Sequence, residues 1–247
     1  MKTFGLIGFP LGHSFSKKYF TDQFERDGNT DRSYELFPLE NIASLVTLIN
    51  ENESLKGLNV TIPHKVNVLP YLNELDDAAR QIGAVNCIAI QEEGDYTILK
   101  GYNTDAFGFE ESLKPYLKEH HTKALILGDG GAARAVKYVL GKLSIDHVSV
   151  VRTAAPGAIV YEELNVELMR THHLIINTTP LGTFPNVEAA PAIPYHLLTD
   201  QHLAYDLVYN PEVTEFLKRA KEKGAMIKNG LEMLHLQADR SWEIWNT

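Results

Sequence analysis

Short runs of β-branched and apolar residues alternate along the chain with stretches whose apolar positions recur at helical spacing. Residues 3–7, 33–37 and 58–60 read as strands, with amphipathic helices at 16–26 and 42–50 between them. Alternation of this kind predicts βαβ units and a parallel sheet. Residues 87–91 and 96–100 flank Glu92-Glu93-Gly94-Asp95, an acidic turn suited to a hairpin. A helix beginning at Thr104 or Asp105 is expected to run towards Lys123. A second series follows: strand 124–127, helix 132–143, strand 148–151, then strands at 174–176, 203–205 and 226–227. A charged amphipathic helix is expected at 212–223, and a last helix from 231 to about 245. Residues 179–194 hold four prolines and read as a surface loop beside a site. No repeat or low-complexity segment interrupts the series. The pattern predicts two α/β domains, residues 1–103 and 104–229.

Composition adds limits rather than detail. The 247 residues are 44% hydrophobic and 22% charged, enough for a sizeable core without staples. A formal net charge of −9 leaves no basic excess to neutralise phosphates, so no nucleic-acid partner is expected. A local site can still be positive inside an acidic protein. The single cysteine, Cys87, cannot form an intramolecular disulfide. Residues 1–10 lack the apolar length of a signal peptide, and no apolar run reaches the ~20 residues of a membrane helix. A cytoplasmic protein with no membrane partner is the expectation.

The strongest chemical signal lies in residues 125–135, where a buried strand, a glycine turn and a helix start follow one another. Gly128 permits the tight turn, Gly130 lets backbone approach a pyrophosphate, and Ala133 takes the third small position, where helix and strand pack closely. The N–H groups of Gly131 and Ala132 then face the phosphates, aided by the helix dipole. This is the pattern of a Rossmann-type dinucleotide-binding domain. Asp129 places a carboxylate in the anion loop and must turn outwards for an anion to bind. The strand at 148–151 ends in Arg152-Thr153, where an acidic residue would bind the ribose of NAD. Arginine there can instead pair a 2′-phosphate through two N–H groups, which favours NADP and leaves NAD possible.

Further polar clusters stand at strand ends: Gly12-His13-Ser14-Phe15-Ser16, Asn59-Val60-Thr61-Ile62-Pro63-His64-Lys65, Gly83-Ala84-Val85-Asn86 and Gly101-Tyr102-Asn103-Thr104-Asp105-Ala106-Phe107-Gly108. With Asp206-Leu207-Val208-Tyr209-Asn210-Pro211 and the run from Asn229 to Ala238, they cover nearly the whole chain in order. In this the chain resembles the shikimate dehydrogenase family, which reduces 3-dehydroshikimate to shikimate with NADPH. The resemblance implies an N-terminal substrate domain, a Rossmann-type domain, and a C-terminal helix (residues 230–247) that returns to the first domain.

It also implies that Lys65 and Asp105 form the catalytic pair, and the chemistry agrees. Carbonyl reduction takes a hydride from the nicotinamide and needs a proton at the developing alkoxide. A lysine ammonium stabilises that oxyanion and supplies the proton, and a carboxylate beside it favours the charged form. Asp105 is equally placed to cap the helix that follows. Ser14 and Ser16 resemble ligands of the substrate carboxylate, although either could cap a helix. Thr61, Asn86 and Gln237 resemble ligands of the ring hydroxyls, each offering both donors and acceptors, and Tyr209 resembles a further substrate-side hydroxyl. Thr178, Gly230 and Met233 join Gly128, Asp129, Gly130, Gly131, Ala132, Arg152 and Thr153 on the cofactor side. The chain departs from the family at Lys17, Phe20 and Cys87, and in reading Ala154-Ala155-Pro156-Gly157 where a second arginine is common.

Three other readings stay open: a quinate or quinate/shikimate dehydrogenase using NAD, a non-catalytic nucleotide-binding metabolite sensor, and a one-carbon dehydrogenase with a similar cofactor domain. The paired serines do not suit a pterin. A monomer or homodimer is expected. The adjacent pairs His120-His121 and His172-His173 should point their rings apart, and no cysteine cluster accompanies them, so no metal is expected.

Overall fold

The computed structural model describes residues 1–12, 15–94 and 96–247. The chain forms two compact units, Met1–Thr104 with Ala238–Thr247, and Asp105–Gln237.

In the first unit the elements run β1 (Lys2–Gly8), α1 (Phe15–Arg26), β2 (Arg32–Pro38), α2 (Ser44–Asn50), β3 (Leu55–Val60), α3 (His64–Asn67), β4 (Glu74–Leu75), α4 (Asp77–Ile82), β5 (Cys87–Glu93) and β6 (Tyr96–Tyr102). They form one sheet ordered β2-β1-β3-β5-β6-β4. β1 runs parallel to β2 and β3, but β5 pairs antiparallel with both β3 and β6. The sheet is therefore mixed rather than parallel. The tight connection after Glu93 allows only antiparallel pairing, whereas parallel strands need a crossover. One sheet face is aliphatic, built on Ile7, Leu45, Leu55, Leu58, Val60 and Ile88. The other is aromatic: Phe4, Phe20, Phe24 and Tyr34 pack with Trp242 and Trp245, the rings of Phe4 and Trp245 stacking at 5.0 Å.

The second unit continues with α5 (Thr104–Leu113), β7 (Lys123–Leu127), α6 (Gly131–Lys142), β8 (Asp146–Val151), β9 (Ala158–Val160), α7 (Val166–Thr171), β10 (Leu174–Asn177), β11 (Leu203–Asp206), α8 (Glu215–Glu222), β12 (Met226–Lys228) and α9 (Leu231–Trp245). Thr104 itself belongs to the first unit, and α9 is shared, residues 231–237 lying in the second unit and 238–245 in the first. The sheet is ordered β12-β11-β10-β7-β8-β9 and every pair is parallel. All four residues of β10 and of β11 are buried, as parallel strands covered on both faces require. The chain moves outward from β7 through β8 and β9, then returns to β10 on β7's other side. That reversal makes a switch point at the carboxyl ends of β7 and β10, where open α/β sheets bind ligands.

Three local expectations change. The helix from Thr104 stops at Leu113, and Pro115 lies in the 3₁₀ turn directly after it, Lys114–Tyr116. A proline lacks the N–H and fits only a helix's first turn. α4 and α7 are helices that the apolar spacing does not signal. The His120 and His121 rings converge instead of diverging: they lie 4.4 Å apart and both approach the carbonyl of Gln201, at 3.0 and 3.3 Å. The segment is a turn, not a helix, so adjacent side chains share a side. Among the described residues no group of three or more His, Cys, Asp or Glu could hold a metal ion. No described helix is long and apolar enough to cross a membrane.

Candidate active site

The glycine turn stands at the switch point of the second sheet. Gly128 has φ of 107°, and a Cβ there would meet the Thr178 hydroxyl at 2.8 Å, so only glycine lets β7 turn against the wall that leaves β10. Gly130 is the N-cap of α6 and has no side chain with which to cap the first-turn N–H groups. A Cβ on Gly130 or Gly131 would meet nothing within 4 Å, so it would fill open space in front of the helix. Those N–H groups and the helix dipole therefore face room for an anion. Asp129 does not oppose this, because its carboxylate accepts a hydrogen bond from Lys137 Nζ on α6. The charge that the sequence placed in the loop is paired by a lysine two turns into the helix.

A cavity of about 600 Å³ opens here, lined by Gly128, Asp129, Gly130, Arg152, Thr153 and Thr178, among others. That volume is in the range of small-molecule sites. Arg152 sits at the end of β8, as the motif spacing predicts. Tyr161 and Glu162 also line the cavity, from the 3₁₀ turn after β9. Burial raises the Tyr161 phenol above its usual range, while the Arg152 charge pulls against it. Sequence reasoning missed both residues, since a three-residue edge strand carries no periodicity to announce the turn beyond it.

In the first unit the strand ends gather several expected ligands. Val85 N donates to the carbonyl of Lys65 at 2.7 Å, and Val60 N donates to the carbonyl of Asn86 at 2.8 Å. Lys65, in α3, is thus tied by backbone to the Gly83–Asn86 segment, and Thr61 follows β3 directly. The Asn86 side chain is held firmly: its Oδ1 accepts from Thr104 N at 2.6 Å, and its Nδ2 donates to Thr104 Oγ1 at 3.0 Å. Thr104 in turn meets Ser241 Oγ of α9 at 3.2 Å, and Ser241 accepts from Asn59 Nδ2 at 2.9 Å. Asn59 Oδ1 accepts from Tyr34 at 2.8 Å, and the Tyr34 hydroxyl is also hydrogen-bonded with Ser16. A continuous polar chain, buried except at its half-buried Ser16 end, therefore links Ser16 to Asn86 through Tyr34, Asn59, Ser241 and Thr104. The motif Asn59 to Lys65 hinted at Asn59; nothing in the sequence pointed to Ser241.

Ser14 lies outside the described residues. Lys17 bonds Glu35 at 2.8 Å on the surface. Cys87 is fully buried at the start of β5, where burial pushes its thiol up to about 12. In the second unit Asp105 is buried in the first turn of α5. Gln237 donates to the carbonyl of Leu234 at 2.9 Å within α9, and Met233 is buried one turn earlier. Gly230 opens α9 against the backbone of Leu207, and Tyr209 follows two residues later in that segment, with 37% of its surface exposed.

Known proteins resemble the chain along nearly its whole length. A family model described as the shikimate dehydrogenase substrate binding domain matches residues 6–88. A shikimate dehydrogenase (NADP(+)) of Desulforamulus reducens is 37% identical over 265 residues, covering 98% of this chain and 88% of the relative. The crystal structure of a chorismate mutase/shikimate 5-dehydrogenase fusion protein from Clostridium acetobutylicum superposes with a TM-score of 0.86 at 37% identity, covering 99% of this chain and 91% of that one. Shikimate 5-dehydrogenase from Thermus thermophilus, solved in complex with NADP(H) and shikimate, gives 0.85 at 33% identity, covering 99% and 93%. With near-complete coverage at these identities, a dinucleotide turn at the switch point and the substrate-domain match, the chain belongs to the shikimate dehydrogenase family.

Proposed function

We propose that this chain reduces 3-dehydroshikimate reversibly to shikimate with NADPH, in the cytoplasm, as a monomer or homodimer. The observation that carries the reading is the cavity at the switch point: glycine-lined at the start of α6, bounded by Arg152 at the end of β8, and freed of the Asp129 charge by Lys137. These residues fit a dinucleotide. Gly130, Gly131 and Ala132 would hold the pyrophosphate on N–H groups, and Arg152 with Thr153 would hold the 2′-phosphate. Thr178 would flank the cofactor, and Gly230 and Met233 would lie on the nicotinamide side.

Bound NADPH supplies the hydride. Lys65 Nζ then stabilises charge developing on the substrate oxygen and donates the proton that completes the alcohol. Asp105 keeps that ammonium charged and oriented. Ser14 and Ser16 bond the substrate carboxylate, Thr61, Asn86 and Gln237 bond the ring hydroxyls, and Tyr209 offers a further hydroxyl on the substrate side. The fixed amide of Asn86 suits this role, because an orientation set in advance costs little entropy on binding.

Steady-state oxidation of shikimate and of quinate, each with NADP and with NAD, tests the assignment. The expected result is a kcat/KM highest for shikimate with NADP. A preference for quinate or for NAD would move the enzyme to the quinate/shikimate reading, and no absorbance change at the nicotinamide band would leave a nucleotide-binding sensor.

A further inference from the structure

Asp206 closes β11 and is completely buried, yet no step of the proposed chemistry uses it. Three neutral donors converge on its carboxylate. Asn177 Nδ2 at 2.9 Å and Val208 N at 3.0 Å reach Oδ1, and the Thr214 hydroxyl at 2.5 Å reaches Oδ2. No ion pair to it occurs among the described residues. A charge buried without a counter-ion is costly, and here three hydrogen bonds offset part of that cost.

What it organises is visible one bond further on. Because Asn177 donates to Asp206, its amide plane is set and its own Oδ1 faces Thr179. It accepts there from Thr179 N at 3.0 Å and from Thr179 Oγ1 at 2.6 Å. Thr178 is latched separately to the last carbonyl of β7, its hydroxyl donating to Leu127 O at 2.8 Å. Thr178 and Thr179 form the cavity wall that rests on Gly128. On its other side Asp206 holds the 207–209 segment through Val208 N. Gly230 packs there so closely that a Cβ would stand 2.2 Å from the Leu207 carbonyl oxygen.

We propose that Asp206 is a positioning residue for cofactor binding, setting the Thr178–Thr179 wall through Asn177 and the Leu207–Tyr209 segment through Val208. It rests on the cofactor reading above. The carboxylate form does this work, since its two oxygens accept three bonds, and a protonated carboxyl must turn one oxygen into a donor. Burial raises the Asp206 carboxyl to about 6, with the Thr214, Val208 and Asn177 donors pulling it back. The titratable and charged groups on the elements around it are Tyr195 ahead of β11, Tyr205 on β11, Glu215, Lys218, Arg219, Lys221 and Glu222 on α8, and Lys228 on β12. Glu215 is engaged with Lys218 and Arg219, and Lys228 with Glu232. Lowering the pH through 6 should therefore protonate Asp206 and loosen the wall.

The test uses the full chain and NADP+ as the probe, by isothermal titration between pH 7.5 and 5, with amide hydrogen exchange of the 175–182 peptide. At pH 7.5, Asp206→Ala should raise the Kd about tenfold, the loss of one well-made bond. It should also speed exchange at the Thr179 amide. Asp206→Asn, which like the protonated carboxyl offers one acceptor and one donor, should raise the Kd about threefold at pH 7.5 and add no pH step of its own as the pH falls. Wild type should bind less tightly below pH 6 by more than Asp206→Asn does; titration of the 2′-phosphate is common to both and cancels. Unchanged Kd and exchange in Asp206→Ala would overturn the proposal. Were that variant to fail to fold, identical pH profiles for wild type and Asp206→Asn would overturn it. If wild type does not bind NADP+, the cofactor reading falls and the proposal with it, whereas an intact wild-type Kd beside an unaffected Asp206→Ala sinks the proposal alone.

Discussion

Ser241→Ala separates what the buried polar chain does for stability from what it does for catalysis. Ser241 is fully buried on α9, where its hydroxyl accepts from Asn59 Nδ2 at 2.9 Å and meets Thr104 Oγ1 at 3.2 Å. Removing the oxygen leaves a buried amide hydrogen short of its best partner. An unsatisfied buried donor costs roughly 1–3 kcal/mol. Asn59 Nδ2 keeps a longer bond to the Asn86 carbonyl at 3.3 Å, which places the loss in the lower half of that range. A destabilisation of about 1.5–2 kcal/mol should lower Tm by roughly 3–8 °C for a chain of this size. The Asn86 amide does not depend on Ser241, because Thr104 N and Oγ1 hold it directly at 2.6 and 3.0 Å. The KM for shikimate should accordingly stay within about threefold of wild type, since the group that binds is still oriented. Arg240→Ala is the control, its surface pair with Glu243 at 2.7 Å being worth less than about 1 kcal/mol. Thermal unfolding and initial-rate assays on the three proteins decide the matter. A Tm within 1 °C of wild type would refute the hydrogen-bond argument, and a tenfold rise in KM would show that Ser241 is needed to orient Asn86 after all.

Other expectations are briefer. Lys65→Ala should lower kcat at least ~100-fold with little change in shikimate KM, as loss of a group acting in the transition state does; a near-normal kcat would remove Lys65 from the chemistry. Arg152→Ala should raise the KM for NADP by an order of magnitude and leave that for NAD nearly unchanged, while equal shifts would show that Arg152 does not read the 2′-phosphate. Burial pushes His121 down to about 4 and also lowers His172 and His202, so the unfolded chain binds more protons below pH 6.5 and their stabilising effect is lost as pH falls towards 4. For His121 linkage gives ~2 kcal/mol at pH 5, about 1 after allowing for solvent screening, so His121→Gln should lose that much less stability than wild type between pH 7 and 5; equal losses in thermal unfolding would contradict it.

Much of the fold follows from short-range pattern, and the exceptions have physical causes. Apolar runs located β1, β3, β7, β10 and β11 because most positions of these strands are buried. β4, with two residues, and β9, with three half-buried residues at a sheet edge, are too short to show a period of two. α4 carries capping signals rather than a helical apolar period. Asp76 accepts from Ala79 N at 2.7 Å as the N-cap, and Gly83 ends the helix with φ of 67°. α7 is announced in the same way by Asn165, which accepts from Leu168 N at 3.0 Å. Capping chemistry, not periodicity, was the better guide to short helices here.

The site divides along a similar line. Residues bound to a local backbone shape could be read directly: the glycines at Gly128 and Gly130 and the arginine that ends β8 are fixed by spacing from one strand. Lys137, which pairs Asp129, lies only eight residues beyond it, but the pairing depends on how the turn feeds α6 and so on a conformation the sequence does not display. The relays are less legible still. Tyr34, Asn59, Thr104 and Ser241 are scattered over more than 200 positions, and Asn177 and Asp206 end two neighbouring strands at register partners. Each looks in isolation like an ordinary polar residue at an element's end. Their meaning comes from the requirement that every buried polar group find a partner, which binds distant segments as tightly as apolar packing does but leaves no periodic trace. A shared motif can flag such a residue, as it flags Asp206, without saying what it does. The function emerges only when its three donors are followed outward to the wall they hold.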